Sequence, residues 1–118
     1  MGHESKGVPV NDHTLAEEYA RAQLFFESKA YSDAAQILAP IVEAEPAHGA
    51  ARLLLARSYY HSAQLGRAEA ELERVLERDP VDGYARLLLG RTLERRGGRA
   101  AEAATQLRMA ESLGQSLS

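Results

Sequence analysis

Apolar residues along this chain return every three or four positions and rarely alternate, a pattern that predicts helices and no strand. From Leu15 the rhythm passes through Ala22, Phe25 and Phe26, until Ser28 to Tyr31 interrupts it. A second stripe follows from about Ser32, formed by Ala34, Ile37, Leu38, Ile41 and Val42. Pro40 lies within it, and its missing N–H and its clash with the preceding turn predict a kink or local loosening. Further helices are expected from about His48 to Ala63, from Gly66 to Arg78, around Leu87 to Leu93, and from about Arg99 to Leu113. The punctuation agrees. Thr14-Leu15-Ala16-Glu17 is a capping box, Asp82 can cap the fifth helix, Pro46 and Pro80 close the first two pairs, and Gly97-Gly98 makes a turn.

The pattern also repeats. Ala51-Arg52-Leu53-Leu54-Leu55-Ala56-Arg57-Ser58 returns 34 positions later as Ala85-Arg86-Leu87-Leu88-Leu89-Gly90-Arg91-Thr92. The same step separates Glu45-Pro46 from Asp79-Pro80 and Ala34 from Ala68. A fixed period of this length marks stacked supersecondary units, none of which can bury its apolar face alone. Three units are expected over about 15–48, 49–82 and 83–117, forming one domain over 13–118 behind a disordered tail at 1–12.

Small and bulky residues recur in register: Ala22, Phe25, Ala34, Leu38 and Pro46, then Ala56, Tyr59, Ala68, Leu72 and Pro80, then Gly90, Leu93, Ala103 and Leu107. On these residues the chain resembles the tetratricopeptide repeat family, over about residues 15–113. The resemblance implies an all-α, right-handed superhelical solenoid of three antiparallel helix hairpins. It also implies a non-enzymatic module that binds a peptide or helix of a partner protein in a concave groove. Three departures stand out. Glu18, Arg52 and Arg86 replace the usual early aromatic. Leu93 to Ala103 is one residue longer than in the other units. Glu111 stands where Val42 and Leu76 face a following unit, as a terminal repeat requires. Met109 and Leu113 should leave a small exposed apolar patch at that end.

Composition narrows the chemistry. Cysteine and tryptophan are absent and aromatics make up 6%, which suits close helix packing and excludes disulfides, zinc–thiolate sites and thiol nucleophiles. No apolar run is long enough to span a membrane and no apolar signal core opens the chain, so a cytoplasmic protein without membrane contact is expected. The net charge of −3 argues against a nucleic-acid partner. It divides into −5 over residues 1–46 and +2 over 47–118. Acidic first units could therefore meet basic third units of other copies, a homo-oligomeric scaffold being the alternative to a peptide-binding module. A chaperone or carrier for one partner is a weaker alternative.

In such an array the first helices line the concave surface, where residues at i, i+4, i+7 and i+8 share a face. These are Tyr19, Gln23, Phe26 and Glu27, then Leu53, Arg57, Tyr60 and His61, then Leu87, Arg91, Glu94 and Arg95, with Tyr84 extending the surface. Aromatic, aliphatic and arginine groups together are what binding patches contain. Arg57 and Arg91 are equivalent and Arg95 lies one turn on, so a carboxylate, an acidic side chain or a peptide C-terminus is the expected contact. The family's two-carboxylate clamp is absent: Tyr19, Gln23, Leu54, Tyr84 and Leu88 hold its positions.

Little else suggests chemistry, and neither metal nor cofactor is expected. The four histidines lack metal-ligand spacing, Gly97-Gly98 has no phosphate-loop context, and no serine sits in a nucleophile elbow. Arg67, Glu71, Arg74 and Glu77 read as a solvated ion-pair ladder, Glu69, Glu71 and Glu73 as a solvated face, and Arg95-Arg96-Gly97-Gly98-Arg99 as a turn kept soluble by charge.

Overall fold

The computed structural model describes residues 14–117, so the expected tail at 1–12 lies outside the described residues. Six helices follow in order: α1 (Leu15–Glu27), α2 (Tyr31–Ala44), α3 (Gly49–His61), α4 (Leu65–Arg78), α5 (Gly83–Arg96) and α6 (Ala100–Ser112). No strand is present among the described residues, and each helix packs chiefly on its neighbours in the sequence, giving the all-α hairpin array that the periodicity predicts. None of the helices is long and apolar enough to cross a membrane.

Local chemistry sets the ends of these helices. The capping box forms in both directions: Thr14 Oγ1 accepts from the Glu17 amide at 3.0 Å, and the Thr14 amide donates to Glu17 Oε1 at 2.8 Å. Asp82 Oδ1 caps α5 through the Ala85 amide, and His48 Nδ1 caps α3 through the Ala51 amide. Each hairpin turn needs one left-handed residue: Lys29 at φ 66°, its equivalent Ala63 at φ 63°, and Gly97 at φ 81°. Gly98, also left-handed, is the extra residue of the third unit, and glycine makes two such residues in a row inexpensive. Pro40 does not break α2. It lies exposed on the outer side, where the carbonyl that loses its partner can face water.

The core is a line of small-against-large contacts running through the array. Ala22, Ala34, Ala56 and Ala68 are fully buried, as are Leu38 and Leu72. Where the third unit has Gly90, a Cβ would come within 2.5 Å of Leu107 Cδ2 and 3.3 Å of the Ala103 carbonyl, so Leu107 occupies the space that a side chain at Gly90 would need. Ser58 and Thr92, equivalent and completely buried, satisfy their hydroxyls on the carbonyls of Leu54 and Leu88 one turn back.

Several charged residues read as solvated are structural instead. Arg52 is buried and donates to Glu71 Oε1 at 2.7 Å and to the Pro46 carbonyl, which removes Glu71 from the expected α4 ladder. Arg86 repeats this clip with Gln106 and the Pro80 carbonyl. In the second and third units the position without the family's aromatic thus holds an arginine that ties the first helix to its own second helix and to the turn before it. In the first unit Glu18 pairs instead with Arg21 on α1. Glu69 is buried rather than solvated, and its Oε1 accepts from Arg96 at 2.7 Å and from Arg99 at 2.9 Å. The basic run around Gly97-Gly98 therefore latches the α5–α6 turn onto α4. Sequence spacing within one helix misses both contacts because the partners lie 19 to 30 residues apart.

At the far end Glu111 is exposed, whereas Val42 and Leu76 are buried, and Met109 and Leu113 are partly exposed at 36% and 38%. The chain then turns at Gly114, with φ 96°, and the Gln115 amide donates to the Ala110 carbonyl. Leu113 and Gln115 lie over Gly83, 3.1 Å from where a Cβ would stand.

Replacing Ala68 by Leu should overpack the α3–α4 contact and lower stability by about 1–3 kcal/mol, whereas Leu at exposed Ala101 should leave it nearly unchanged. Urea denaturation of both variants, compared at equal slope, measures the difference.

Candidate binding site on the first helices

Stacking brings one face of α1, α3 and α5 together, because each first helix lies beside the next when hairpins repeat. At the centre of this face is Arg57. Its Cζ lies 4.6 Å from the Phe26 ring centroid and 5.7 Å from that of Tyr84, so rings from the first and third units flank a guanidinium from the second. Its Nε is buried and has no hydrogen-bond partner. Desolvating a donor without an acceptor costs about 1–3 kcal/mol.

Beside it the rings continue. His61 stacks on Tyr31 at 4.6 Å with 24° between planes, and meets Phe26 and Tyr60 edge-on at 5.8 Å and 5.4 Å. Arg95 also lies over Tyr60, with Cζ 4.7 Å from the ring centroid and Nη1 donating to the Tyr60 carbonyl at 3.1 Å. Burial among the rings pushes the His61 imidazole below its usual range, and the positive charges of Arg57 and then Arg95 push it further the same way. The ring is thus favoured in its neutral form near neutral pH.

Phe26, Arg57, Tyr60, His61, Tyr84 and Arg95 therefore form one continuous arginine–aromatic cluster. The other expected residues do different things. Tyr19 tilts against His48 at 5.1 Å, and Gln23 is exposed. Leu53 is half-buried against the second core cluster, and Leu87 is half-buried on α5. Arg91 is already engaged: Nη1 donates to Glu94 at 3.0 Å, and Nη2 donates to the Leu117 carbonyl of the chain's own C-terminal segment at 2.6 Å. Equivalent arginines thus have unequal environments. Arg57 faces the ring of Tyr84, whereas Arg91 faces the segment after α6.

Tyr31 is the residue that first-helix spacing does not find. It is the first residue of α2, and the left-handed turn at Lys29 carries it back beside Phe26 at 5.1 Å and onto His61. No periodicity marks it; only the path of the turn does.

A groove of about 450 Å³ lies elsewhere, between α2 and α4, and contains the Arg52–Glu71 pair. Another of about 360 Å³ runs along the turns by Pro46 and Asp79 and reaches only Leu53 of the expected residues. Among the described residues, no group of three or more His, Asp or Glu side chains is placed to hold a metal ion.

A family model described as tetratricopeptide repeat matches residues 25–92. No curated protein matches by sequence. Among solved structures, MamA from Desulfovibrio magneticus RS-1 is similar with a TM-score of 0.80 at 22% identity, over 90% of this chain and 59% of that one. This chain thus spans less than two thirds of that protein's length. The type III secretion translocator chaperone SycD of Yersinia enterocolitica is similar with a TM-score of 0.76 at 20% identity, over 88% of this chain and 77% of that one. A chain of the CopN-Scc3 complex gives 0.79 at 18%, over 92% and 62%. At these identities the likeness is one of fold.

Because the folded pKa of His61 lies below its unfolded value, the unfolded state binds more protons between the two values. Its contribution to stability should be intact above about pH 6.5 and lost as pH falls through that window. Thermal melts from pH 7.5 down to 5 should show a shallower decline for His61→Gln than for the wild type.

Proposed function

Because the chain belongs to the tetratricopeptide repeat family, we propose that its arginine–aromatic face takes an extended segment or helix of a partner protein, with an acidic group of that partner on Arg57. The observation that carries this reading is Arg57 itself, flanked by Phe26 and Tyr84 with Nε buried and unpartnered. A guanidinium already fixed between rings loses little conformational freedom on binding, and a carboxylate can pair with the part of it that solvent still reaches. The rings around it add apolar area, and arginine and tyrosine are the groups that most often dominate binding energy. The arrangement suits recognition rather than catalysis, since it pairs no nucleophile with a base.

Two of the similar structures bear names that refer to other proteins, a translocator chaperone and a two-protein complex, which supports reading this fold as a protein-binding one. A carrier role for a single partner belongs to the same reading.

Charge reversal should separate the two equivalent arginines. Arg57→Glu should weaken capture of the partner from source lysate, and its purified affinity, by more than about tenfold. Arg91→Glu should change either by less than about threefold, since Arg91 is held by Glu94 and Leu117. Equal loss in both, in folded proteins, would move the acidic contact away from Arg57.

End-to-end self-assembly is a second reading, favoured by Leu24. It is 66% exposed on α1, at the position where Ser58 and Thr92 of the later units are completely buried. A second copy could cover it in the same register. Light scattering distinguishes the readings. A peptide-binding module keeps the 12.9 kDa mass of one chain as concentration rises, whereas a stacking one gains mass and loses that gain in Leu24→Ser.

A further inference from the structure

We propose that His61 is the proton-accepting member of the Arg57 subsite, so that a carboxylate docking there draws a proton onto the imidazole. The inference rests on the reading that the Arg57 face binds an acidic group, and it adds what sets the strength of that contact.

His61 and Arg57 lie against the same Phe26 ring, and His61 and Arg95 lie against the same Tyr60 ring, so the imidazole feels the charge of both guanidiniums. Each neighbouring element contributes to its surroundings. Phe26 comes from α1 and carries no charge, Tyr31 from α2 stacks on one face, Arg57 and Tyr60 come from its own helix, and Arg95 comes from α5. Among the groups shown against it, no carboxylate balances the two positive charges. In the free protein a proton on His61 would make a third positive charge in one patch. A bound carboxylate reverses this, offsetting the guanidiniums and attracting the imidazolium. His61 keeps one side exposed, which leaves room for such a contact.

The rings matter because they orient the imidazole. Tyr31, Phe26 and Tyr60 all contact it, and these contacts favour the orientation that keeps it beside the arginines although the residue is exposed. Coupling between the two events is reciprocal: the anion raises the proton affinity of His61, and the proton raises the anion affinity of the subsite by the same factor. Anion affinity should therefore increase as pH falls toward 5.5, a range in which peptide glutamates remain largely ionised.

The test uses the full chain and an end-blocked hexaglutamate peptide as the probe, titrated at fixed ionic strength at pH 7.5 and 5.5. For the wild type the affinity should be at least about fivefold higher at pH 5.5, within the limit of about tenfold per pH unit that one proton allows. His61→Gln should bind with a pH ratio below about twofold, and Arg57→Gln should bind weakly at both values. In parallel, the His61 ring resonances should titrate at a higher midpoint with saturating peptide than without it. Wild-type binding that does not vary with pH, or a ratio unchanged in His61→Gln, overturns the proton coupling while leaving the Arg57 reading in place. If folded wild-type protein fails to bind at either pH, or binds as well after Arg57→Gln, the Arg57 reading falls and the coupling with it.

Discussion

The close approach of paired helix backbones is the constraint on which the rest of this molecule depends. Ala22 and Ala34, Ala56 and Ala68, and Gly90 and Ala103 are all buried, and small residues at these places let the paired backbones approach. Bulkier neighbours such as Leu38 and Leu72 then fill the space beside them. A hairpin built this way still leaves one apolar side uncovered, which the next hairpin covers. Stacking is thus a consequence of packing, and it aligns the first helices side by side. Only that alignment lets Phe26, Arg57 and Tyr84, from three different units, form one surface.

Charge secures what packing begins. Arg52 and Arg86 each bond the carbonyl of the proline that closes the preceding unit, while a second contact holds the partner helix of their own hairpin. Glu69 gathers Arg96 and Arg99 and so fixes the third hairpin on the second. Because Glu69 and Arg52 are largely removed from solvent, these contacts are screened less by salt than exposed pairs. Burial and the adjacent Glu69 carboxylate also push the Glu73 carboxyl above its usual range, so acid is concentrated on this side of α4.

The concave side balances charge differently. Arg57 and Arg95 rest on rings rather than carboxylates, a weaker attraction that leaves most of their capacity to attract an anion. Arg57 keeps a buried donor without an acceptor, and Arg95 gives one donor to a carbonyl. Neither pairing neutralises the charge. This is the physical difference between an arginine whose donors are taken up within the fold and one that keeps a donor unmatched. Arg91 shows the first case at the position where Arg57 shows the second.

The sequence by itself determined the helices, their order and their repeat, because these depend on local periodicity, on caps such as Thr14 and Asp82, and on small residues spaced by 34. It also placed most of the arginine–aromatic cluster, since i, i+4, i+7 and i+8 on a helix share a face whatever surrounds it. Only the tertiary structure decided what each charged side chain does. Whether Glu69 faces water, whether Arg91 is free and whether Tyr31 reaches His61 depend on residues 26 to 30 positions away. Those distances are closed by turns and by stacking, and the spacing of residues along one helix carries no record of them.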